Sequence, residues 1–174
     1  MHSAPLSVAN QAFEHRSVRF FVVLFQGRSG SSWLIEALSS HPQIEAIGEK
    51  LAALHAEGAT VQRRWLESYF GHGLPDGSVR GFKTKLSDVI DVADFASQLA
   101  RSECAIICLD RANLVKQAVS WLRADELYQR YRVHNIYDPK DRLPSSRIDA
   151  AELLRRVVVL DRGRSKLLNF VEGL

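Results

Sequence analysis

One short segment of the chain brings together residue types that bind phosphate and sulfate groups. Residues 27–32 read Gly-Arg-Ser-Gly-Ser-Ser and follow closely on a run of apolar residues. In a loop that opens a helix, backbone N–H groups and the partial positive charge of the helix N-terminus can hold an oxyanion. Glycines allow the tight turn, serine hydroxyls donate hydrogen bonds, and an arginine adds a bidentate cation. The candidate residues are Gly27, Arg28, Ser29, Gly30, Ser31 and Ser32.

The same segment differs from a Walker A nucleotide-binding loop. That motif requires a lysine followed by serine or threonine after its last glycine. Here Gly30 is followed by Ser31 and Ser32. A plain serine-glycine turn is the alternative interpretation, in which Ser31 or Ser32 caps the helix that follows.

A second candidate anion site lies much further along the chain. Arg111 comes just after a predicted strand, and Ser120 lies nine residues later in the helix that is predicted to follow. An arginine and a hydroxyl placed in this way can grip one phosphate from two sides. Taken alone the pattern is weak, because arginines near helix starts and serines within helices are common.

Alternating strand and helix patterns place both candidate sites at strand ends. Continuous β-branched and aromatic runs at 18–25 and 104–109 predict two buried strands, and shorter runs at 44–47 and 79–82 predict two more. Residues 131–147 are predicted to form a surface loop. The predicted helices are 32–39, 50–70 with a break near Gly58, 86–101, the segment with apolar Val115, Ala118, Val119 and Leu122, and 149–171.

This alternation predicts an α/β fold in which helices cover both faces of a parallel sheet. Ligands of such sheets bind at the carboxyl ends of the strands, which brings 27–32, 83–85 and 110–113 to one edge. We expect a single domain over 18–174, preceded by a loose leader over 1–17. Burial in the core is predicted for the three tryptophans, Trp33, Trp65 and Trp121.

The composition argues against several classes of protein. The chain has 174 residues, of which 46% are hydrophobic and 25% are charged, which is ordinary globular usage. Its longest apolar run, at 20–25, is far shorter than the ~20 residues that a membrane span needs. Two cysteines, Cys104 and Cys108, are too few for a disulfide framework. We therefore expect a cytoplasmic protein without a membrane span, and no metal site, because no histidine has ligand spacing with either cysteine.

The formal net charge of +3 is unevenly distributed along the chain. Residues 111–174 contain 13 basic and 8 acidic side chains, whereas the preceding part has a small acidic excess. A basic C-terminal third suits an anionic ligand or partner, and a solvated basic face is the alternative. No run of lysines and arginines is dense enough to indicate nucleic-acid binding.

Taken together, the two anion-binding segments resemble the PAPS-dependent sulfotransferases, whose sulfuryl donor is 3′-phosphoadenosine 5′-phosphosulfate (PAPS). Residues 28–34, Arg-Ser-Gly-Ser-Ser-Trp-Leu, look like the 5′-phosphosulfate loop of that family, and 111–120 look like its 3′-phosphate site. His-Pro-Gln-Ile at 41–44 and the Gly48-Glu49 pair are especially similar to bacterial carbohydrate and lipid sulfotransferases of the trehalose type. The resemblance covers roughly residues 18–170 and implies a P-loop NTPase-like, three-layer fold.

The resemblance also implies a donor site without a metal, in which PAPS is consumed and 3′,5′-adenosine bisphosphate (PAP) is released. Trp33 follows the loop directly and is expected to wall the adenosine side. The acceptor is expected to be a hydroxyl group of a small molecule, a sugar or a glycolipid. The residues implied for donor binding are Gly27, Arg28, Ser29, Gly30, Ser31, Ser32, Trp33, Arg111 and Ser120.

Three residues are expected to carry the transfer itself. Arg28 and Lys83 would stabilise the negative charge that develops on the leaving phosphate and the sulfuryl oxygens. Glu49 matches a glutamate that serves as the base in the trehalose-type group. Some family members have a histidine base two residues after this lysine, and here that position is Lys85. The alternatives are a solvated strand end for both lysines, and for Glu49 an interaction with the dipole of the helix that begins at Lys50.

The chain ends at Leu174, within or just after the last predicted helix. Sulfotransferases usually continue with another strand and a basic, glycine-containing loop, so we expect either a C-terminally truncated chain or a short relative. An unpaired sheet edge would favour a homo-oligomer. Two other functions stay open: a non-catalytic PAP-binding remnant, and a P-loop kinase-like protein, since 105–110 looks like a Walker B strand with Asp110 for Mg²⁺.

Overall fold

A four-stranded parallel sheet organises the part of the chain that the computed structural model describes, which is residues 18–133, 143–144 and 147–174. The strands are β1 (Phe20–Phe25), β2 (Ile44–Ile47), β3 (Val79–Thr84) and β4 (Ala105–Leu109). The helices are α1 (Ser31–Ser39), α2 (Lys50–Leu54), α3 (Ala59–Gly71), α4 (Val92–Arg101), α5 (Leu114–Tyr131) and α6 (Ala150–Glu172), with single 3₁₀ turns at His55–Glu57 and Leu86–Asp88.

The strand order is β2-β3-β1-β4, which makes β1 a central strand with a parallel neighbour on each side. Residues 21–25 are all buried, because both faces of this strand are covered. Val22 pairs with Phe82 of β3 on one side and with Ile106 of β4 on the other. The continuous apolar run that predicted a buried strand is thereby explained.

Each face of the sheet has its own apolar cluster, so the architecture has three layers. Phe21 and Val23 point to one face and pack with Ile35 of α1. Val22 and Leu24 point to the other face, where they join a larger cluster contributed by α2, α3, α4 and α6. The core of that second cluster consists of Leu51, Leu66, Tyr69, Phe82, Val89, Phe95, Leu99 and Leu167. The predicted α/β fold with a helix-covered parallel sheet is confirmed.

The element boundaries differ from prediction in a few places that have local causes. Helix α4 begins at Val92 rather than near residue 86, because the Asp91 carboxylate accepts a hydrogen bond from the Asp94 N–H (2.9 Å) and caps the helix there. The predicted break near Gly58 is confirmed, and Gly58 has a φ of 95° that favours glycine. Strand β3 runs on to Thr84, two residues further than predicted.

Two predicted segments fall wholly or mostly outside the described residues. These are the leader over 1–17 and most of the surface loop over 131–147. None of the helices in the described part of the chain combines the length and the apolar character that crossing a membrane requires.

Candidate functional site

The loop between β1 and α1 has a backbone shaped to leave helix N–H groups open. Gly30 is the N-cap of α1 with a φ of 96°, and a glycine has no side chain with which to cap the first turn. The alternative in which Ser31 or Ser32 caps this helix is therefore wrong, since the helix already begins at Ser31. Uncapped N–H groups at a helix start attract anions.

Arg28 also adopts the left-handed conformation, with a φ of 67°, which costs a non-glycine residue about 1–2 kcal/mol. The segment around α5 holds the backbone in this shape. The Arg111 guanidinium donates a hydrogen bond to the Arg28 carbonyl oxygen (2.9 Å), and the Gln117 side-chain amide donates one to the Gly27 carbonyl oxygen (2.8 Å). Gln117 is almost fully buried in α5, so this brace is part of the core.

Ser29 carries a buried hydroxyl with an unused hydrogen bond. Among the residues that the structure describes, its Oγ has no hydrogen-bond partner. An unsatisfied buried hydroxyl costs about 1–3 kcal/mol, and most such groups in native proteins are satisfied. The hydroxyl lies in the candidate anion loop, where an oxyanion could accept its hydrogen bond.

Two arginines meet beside this loop although their positions are 83 residues apart. Arg28 Nε donates to Ser120 Oγ (3.1 Å), so the first predicted site contacts the second. Burial and then the positive charge of Arg111 lower the pKa of the Arg28 guanidinium. Two like charges held close together favour an anion between or beside them.

Lys83 lies at the end of β3 and reaches under the loop. Its side chain is buried, and Nζ donates to Ser32 Oγ (2.9 Å) and to Ser31 Oγ (3.5 Å). Nζ also lies 3.5 Å from Glu49 Oε1. A solvated strand end is therefore wrong for Lys83, whose charge faces the loop and one carboxylate.

Glu49 lies between two lysines rather than against the helix that follows it. Its side chain makes no capping hydrogen bond to α2, and its second carboxylate oxygen forms a short ion pair with Lys85 Nζ. Lys85 also pairs with Asp88 (3.3 Å). Burial alone would lower the pKa of Lys85, but the hydrogen bonds and negative charges of Glu49 and Asp88 raise it. Lys85 thus stays protonated, and cannot serve as the base that a histidine would provide.

Three adjoining cavities run along this edge of the sheet. The Arg111 cavity has a volume of about 280 Å³ and is lined by Arg28, Gly30, Ser31, Ser32, Trp33, Arg111 and Ser120. The Glu49 cavity, about 470 Å³, shares Arg28, Ser31 and Ser32 with it and adds Glu49 and Lys85. The third, the α6 cavity, is also lined by Lys85 and has a volume of about 600 Å³.

The structure brings together every residue that was predicted for the site. Gly27 and the loop line the Glu49 cavity, and Arg111 and Ser120 face the loop from α5 and the segment before it. The predicted core position of Trp33 is wrong, because its side chain is 74% exposed at the mouth of the Arg111 cavity. Trp65 and Trp121 are half-buried, and Trp65 stacks on Tyr69 at a centroid distance of 4.8 Å.

Gln117 and Gln26 were not predicted to have a role. Each is a polar residue beside apolar ones, and the side-chain amide of each donates a hydrogen bond to a backbone carbonyl. Gln117 donates to Gly27 of the loop, and Gln26 Nε2 donates to the Leu160 oxygen of α6 (3.1 Å). A glutamine among the apolar positions of a predicted helix is the signal that could have found Gln117. No comparable signal marks Gln26.

Asp110, directly after β4, forms an ion pair with an arginine. Arg164 of α6 pairs with its carboxylate at 2.7 Å. In the described residues, no three His, Cys, Asp or Glu side chains come together as a group that could hold a metal ion.

A comparison with models of known protein families found no match for this chain, and a search of curated proteins found no similar sequence.

Proposed function

We propose that the protein is a sulfotransferase that moves the sulfuryl group of PAPS to a hydroxyl group of an acceptor and releases PAP. One observation carries the proposal: two segments 83 residues apart meet in a single cavity, where Arg28, Arg111 and Ser120 converge with the loop serines. These are the segments whose sequences resemble the 5′-phosphosulfate loop and the 3′-phosphate site of sulfotransferases.

The order of the strands supports binding at this place. In the sheet, β2 and β3 lie on one side of β1 and β4 lies on the other. The direction in which the chain adds strands therefore changes at the boundary between β1 and β4. Open α/β sheets bind ligands at such a switch point, beyond the carboxyl ends of the strands. The loops after β1 and β4 are the ones that hold Arg28 and Arg111. A P-loop NTPase-like fold is part of this proposal.

The chemistry of the cavity fits a donor with two anionic ends and an aromatic base. The Ser29 hydroxyl, which has no partner among the described residues, and the N–H groups at the start of α1 suit the 5′ end, and Arg111 with Ser120 suits the 3′-phosphate. Trp33 offers an exposed ring at the cavity mouth, and stacking of a base on an aromatic ring contributes about 1–3 kcal/mol. When bound, PAPS supplies an activated sulfuryl group.

The proposed transfer needs positioning and charge stabilisation more than covalent catalysis. The acceptor oxygen forms a bond to sulfur, the bond from sulfur to the bridging phosphate oxygen breaks, and PAP leaves with that electron pair. The acceptor proton passes to Glu49. Lys83 and Arg28 stabilise the negative charge on the sulfuryl oxygens and the leaving phosphate.

Glu49 accepts that proton most readily at a carboxylate oxygen whose negative charge is not neutralised by a lysine. Its contact with Lys83 is the weaker of its two ion pairs, at 3.5 Å. Lys83 already donates to the loop serines, so sulfuryl oxygens in the loop would compete with Glu49 for it. Donor binding would in this way free the carboxylate for the acceptor.

Cytoplasmic action is also part of the proposal. Cys104 and Cys108 are free thiols, as is usual in a reducing compartment. Burial raises the pKa of Cys104 to about 12, which keeps its sulfur protonated and unreactive.

Calorimetric titration with PAP, beside ATP with Mg²⁺, tests the donor site. We expect PAP to bind, and Arg28→Ala and Arg111→Ala each to raise its dissociation constant by about 10- to 150-fold, the range for losing a hydrogen bond to a charged group. Arg64→Ala, on the exposed face of α3, is the matched control and should bind normally. Preference for Mg-ATP would favour the kinase-like function, and PAP binding without turnover of PAPS would favour the non-catalytic remnant.

A further inference from the structure

The α6 cavity is the largest of the three, and of the residues predicted for the donor site it is lined by Gly27 alone. It lies between the end of β1, the 3₁₀ turn after β3, and the helices α4, α5 and α6. Its volume of about 600 Å³ falls within the range of small-molecule sites. The cavity is partly open to solvent, and Lys85, Gly27 and Trp121 are among its lining residues.

The wall that α6 contributes is fixed in place by a specific contact. Gly163 faces Gln26, and a Cβ atom at that position would lie 3.1 Å from Gln26 Oε1. The same glutamine donates its hydrogen bond to the Leu160 carbonyl one turn earlier. A glycine inside a helix costs about 1 kcal/mol, and here it lets α6 approach the end of β1 closely.

The α6 cavity adjoins the cavity that holds the reacting groups. Phe25, Gly27, Lys85 and Trp121 line both this cavity and the Glu49 cavity. A molecule in the α6 cavity would therefore have one end beside Lys85 and Glu49. Its other end would lie along α6.

The lining of the α6 cavity has two kinds of surface. Leu86, Val92, Val159 and Leu167 make most of the wall apolar, together with the ring of Trp121. Two cations, Arg162 and Lys166, lie one turn apart on α6 and are both exposed to solvent. Neither forms an ion pair with any residue in the described ranges, whereas Arg155, Arg156 and Arg164 of the same helix are all paired.

We infer that the α6 cavity binds the acceptor, and that the acceptor is an amphipathic acid: a hydroxyl group at one end, an apolar body, and an anionic group at the other end. The hydroxyl lies beside Glu49, the apolar body packs against the wall of leucines and valines, and the anionic group pairs with Arg162 and Lys166. An uncharged sugar would gain no attraction from these exposed cations and would place hydroxyls against an apolar wall. The inference rests on the proposed function, because it names the acceptor of that reaction.

Binding of ω-hydroxy carboxylic acids of six to twelve carbons tests the inference by calorimetry, with and without saturating PAP. Each acid is compared with the α,ω-diol of equal length, which keeps the hydroxyl and the apolar body but lacks the charge. An exposed ion pair contributes up to about 1 kcal/mol, so the two cations should make the best acid bind roughly 3- to 30-fold more tightly than its diol. Trehalose serves as the uncharged sugar and should bind weakly.

The matched variants lie on one helix. Arg162→Gln with Lys166→Gln should abolish the preference for the acid and leave PAP affinity unchanged. Arg155→Gln, which changes an exposed arginine away from the cavity, should keep the preference. Sulfation of the best acid is monitored as the release of PAP from PAPS. In the double variant this activity should be lost at low acid concentration and should recover at high acid concentration.

Three results would overturn the inference, and they are distinguishable from failure of the donor site. If PAP binds but the acids bind no better than the diols, the acceptor is not an amphipathic acid and the sulfotransferase proposal survives. The same conclusion follows if the double variant keeps the preference, because the anion then binds elsewhere. If the acids bind but PAP does not, the proposed transfer fails, and the acceptor role fails with it.

Discussion

Replacing Ser29 by alanine should move stability and ligand binding in opposite directions. The Ser29 hydroxyl is buried, and no described residue accepts or donates a hydrogen bond to it. Removing the oxygen relieves a desolvation cost of about 1–3 kcal/mol and leaves only a small void. We therefore expect Ser29→Ala to raise the free energy of unfolding by about 1–2 kcal/mol, which raises the Tm by roughly 2–8 °C for a chain of this length.

The same variant should weaken PAP binding. A hydroxyl that donates to a charged oxygen contributes about 1.5–3 kcal/mol, so its loss should raise the dissociation constant by about 10- to 150-fold. Urea unfolding measures the first effect, and calorimetric titration with PAP measures the second. Ser97→Ala is the control, because that serine lies on the exposed face of α4 and should change stability by no more than ~0.5 kcal/mol.

Either half of the result can fail separately. If Ser29→Ala lowers stability, the hydroxyl has a partner in the free protein and the argument from an unsatisfied group is refuted. If stability rises while PAP affinity is unchanged, the loop does not hold the donor through this hydroxyl.

Three further predictions concern the base, the lysine beside it and the adenosine side. Glu49→Gln should lower turnover by about 10²- to 10⁴-fold with unchanged PAP affinity, and steady-state kinetics beside calorimetry would detect a failure of either part. Because the pKa of Lys85 is raised in the folded state, its stabilising effect is complete below the ordinary lysine pKa of about 10.4 and is lost as the pH rises further. Urea midpoints at pH 8 and 11 should therefore fall more for the wild type than for Lys85→Met, and equal slopes would contradict the pairing with Glu49. Trp33→Ala should change stability by less than ~0.5 kcal/mol, since the ring is 74% exposed, but should weaken PAP binding by about 5- to 150-fold; a large loss of stability would mean that the ring packs in the core after all.

Most of the fold could be predicted from local patterns of apolar residues, because these patterns reflect which faces of each element are buried. The apolar runs of β1 and β4 are continuous because helices cover the sheet on both sides. The start of α4 was misplaced because a propensity pattern extends over 86–101, whereas the cap at Asp91 decides where the helix begins. The first residue of a helix depends on a single capping hydrogen bond, whereas a hydrophobic pattern is an average over several residues and cannot locate it.

The site was predictable to the extent that its chemistry is concentrated in short segments. The loop at 27–32 and the pair of Arg111 and Ser120 could be found from residue types alone, but their contact could not, because it depends on which strands are neighbours. Trp33 was misassigned since its helical position is apolar on average, yet α1 covers the sheet with Ile35 and turns Trp33 outwards. The α6 cavity depends on how closely one helix approaches Gln26, which no sequence pattern records.

The brace from α5 to the loop has a consequence for the folding of the chain. The left-handed backbone at Arg28 is held by Arg111 and Gln117, which are synthesised more than eighty residues later. A nascent or partly unfolded chain that lacks α5 thus lacks the shape of the loop, even when β1 and α1 have formed. An anion that binds the loop selects the fully folded chain and stabilises it by mass action. Only fully folded molecules should then be retained on an immobilised PAP resin, so retention would measure how much of the protein has completed folding.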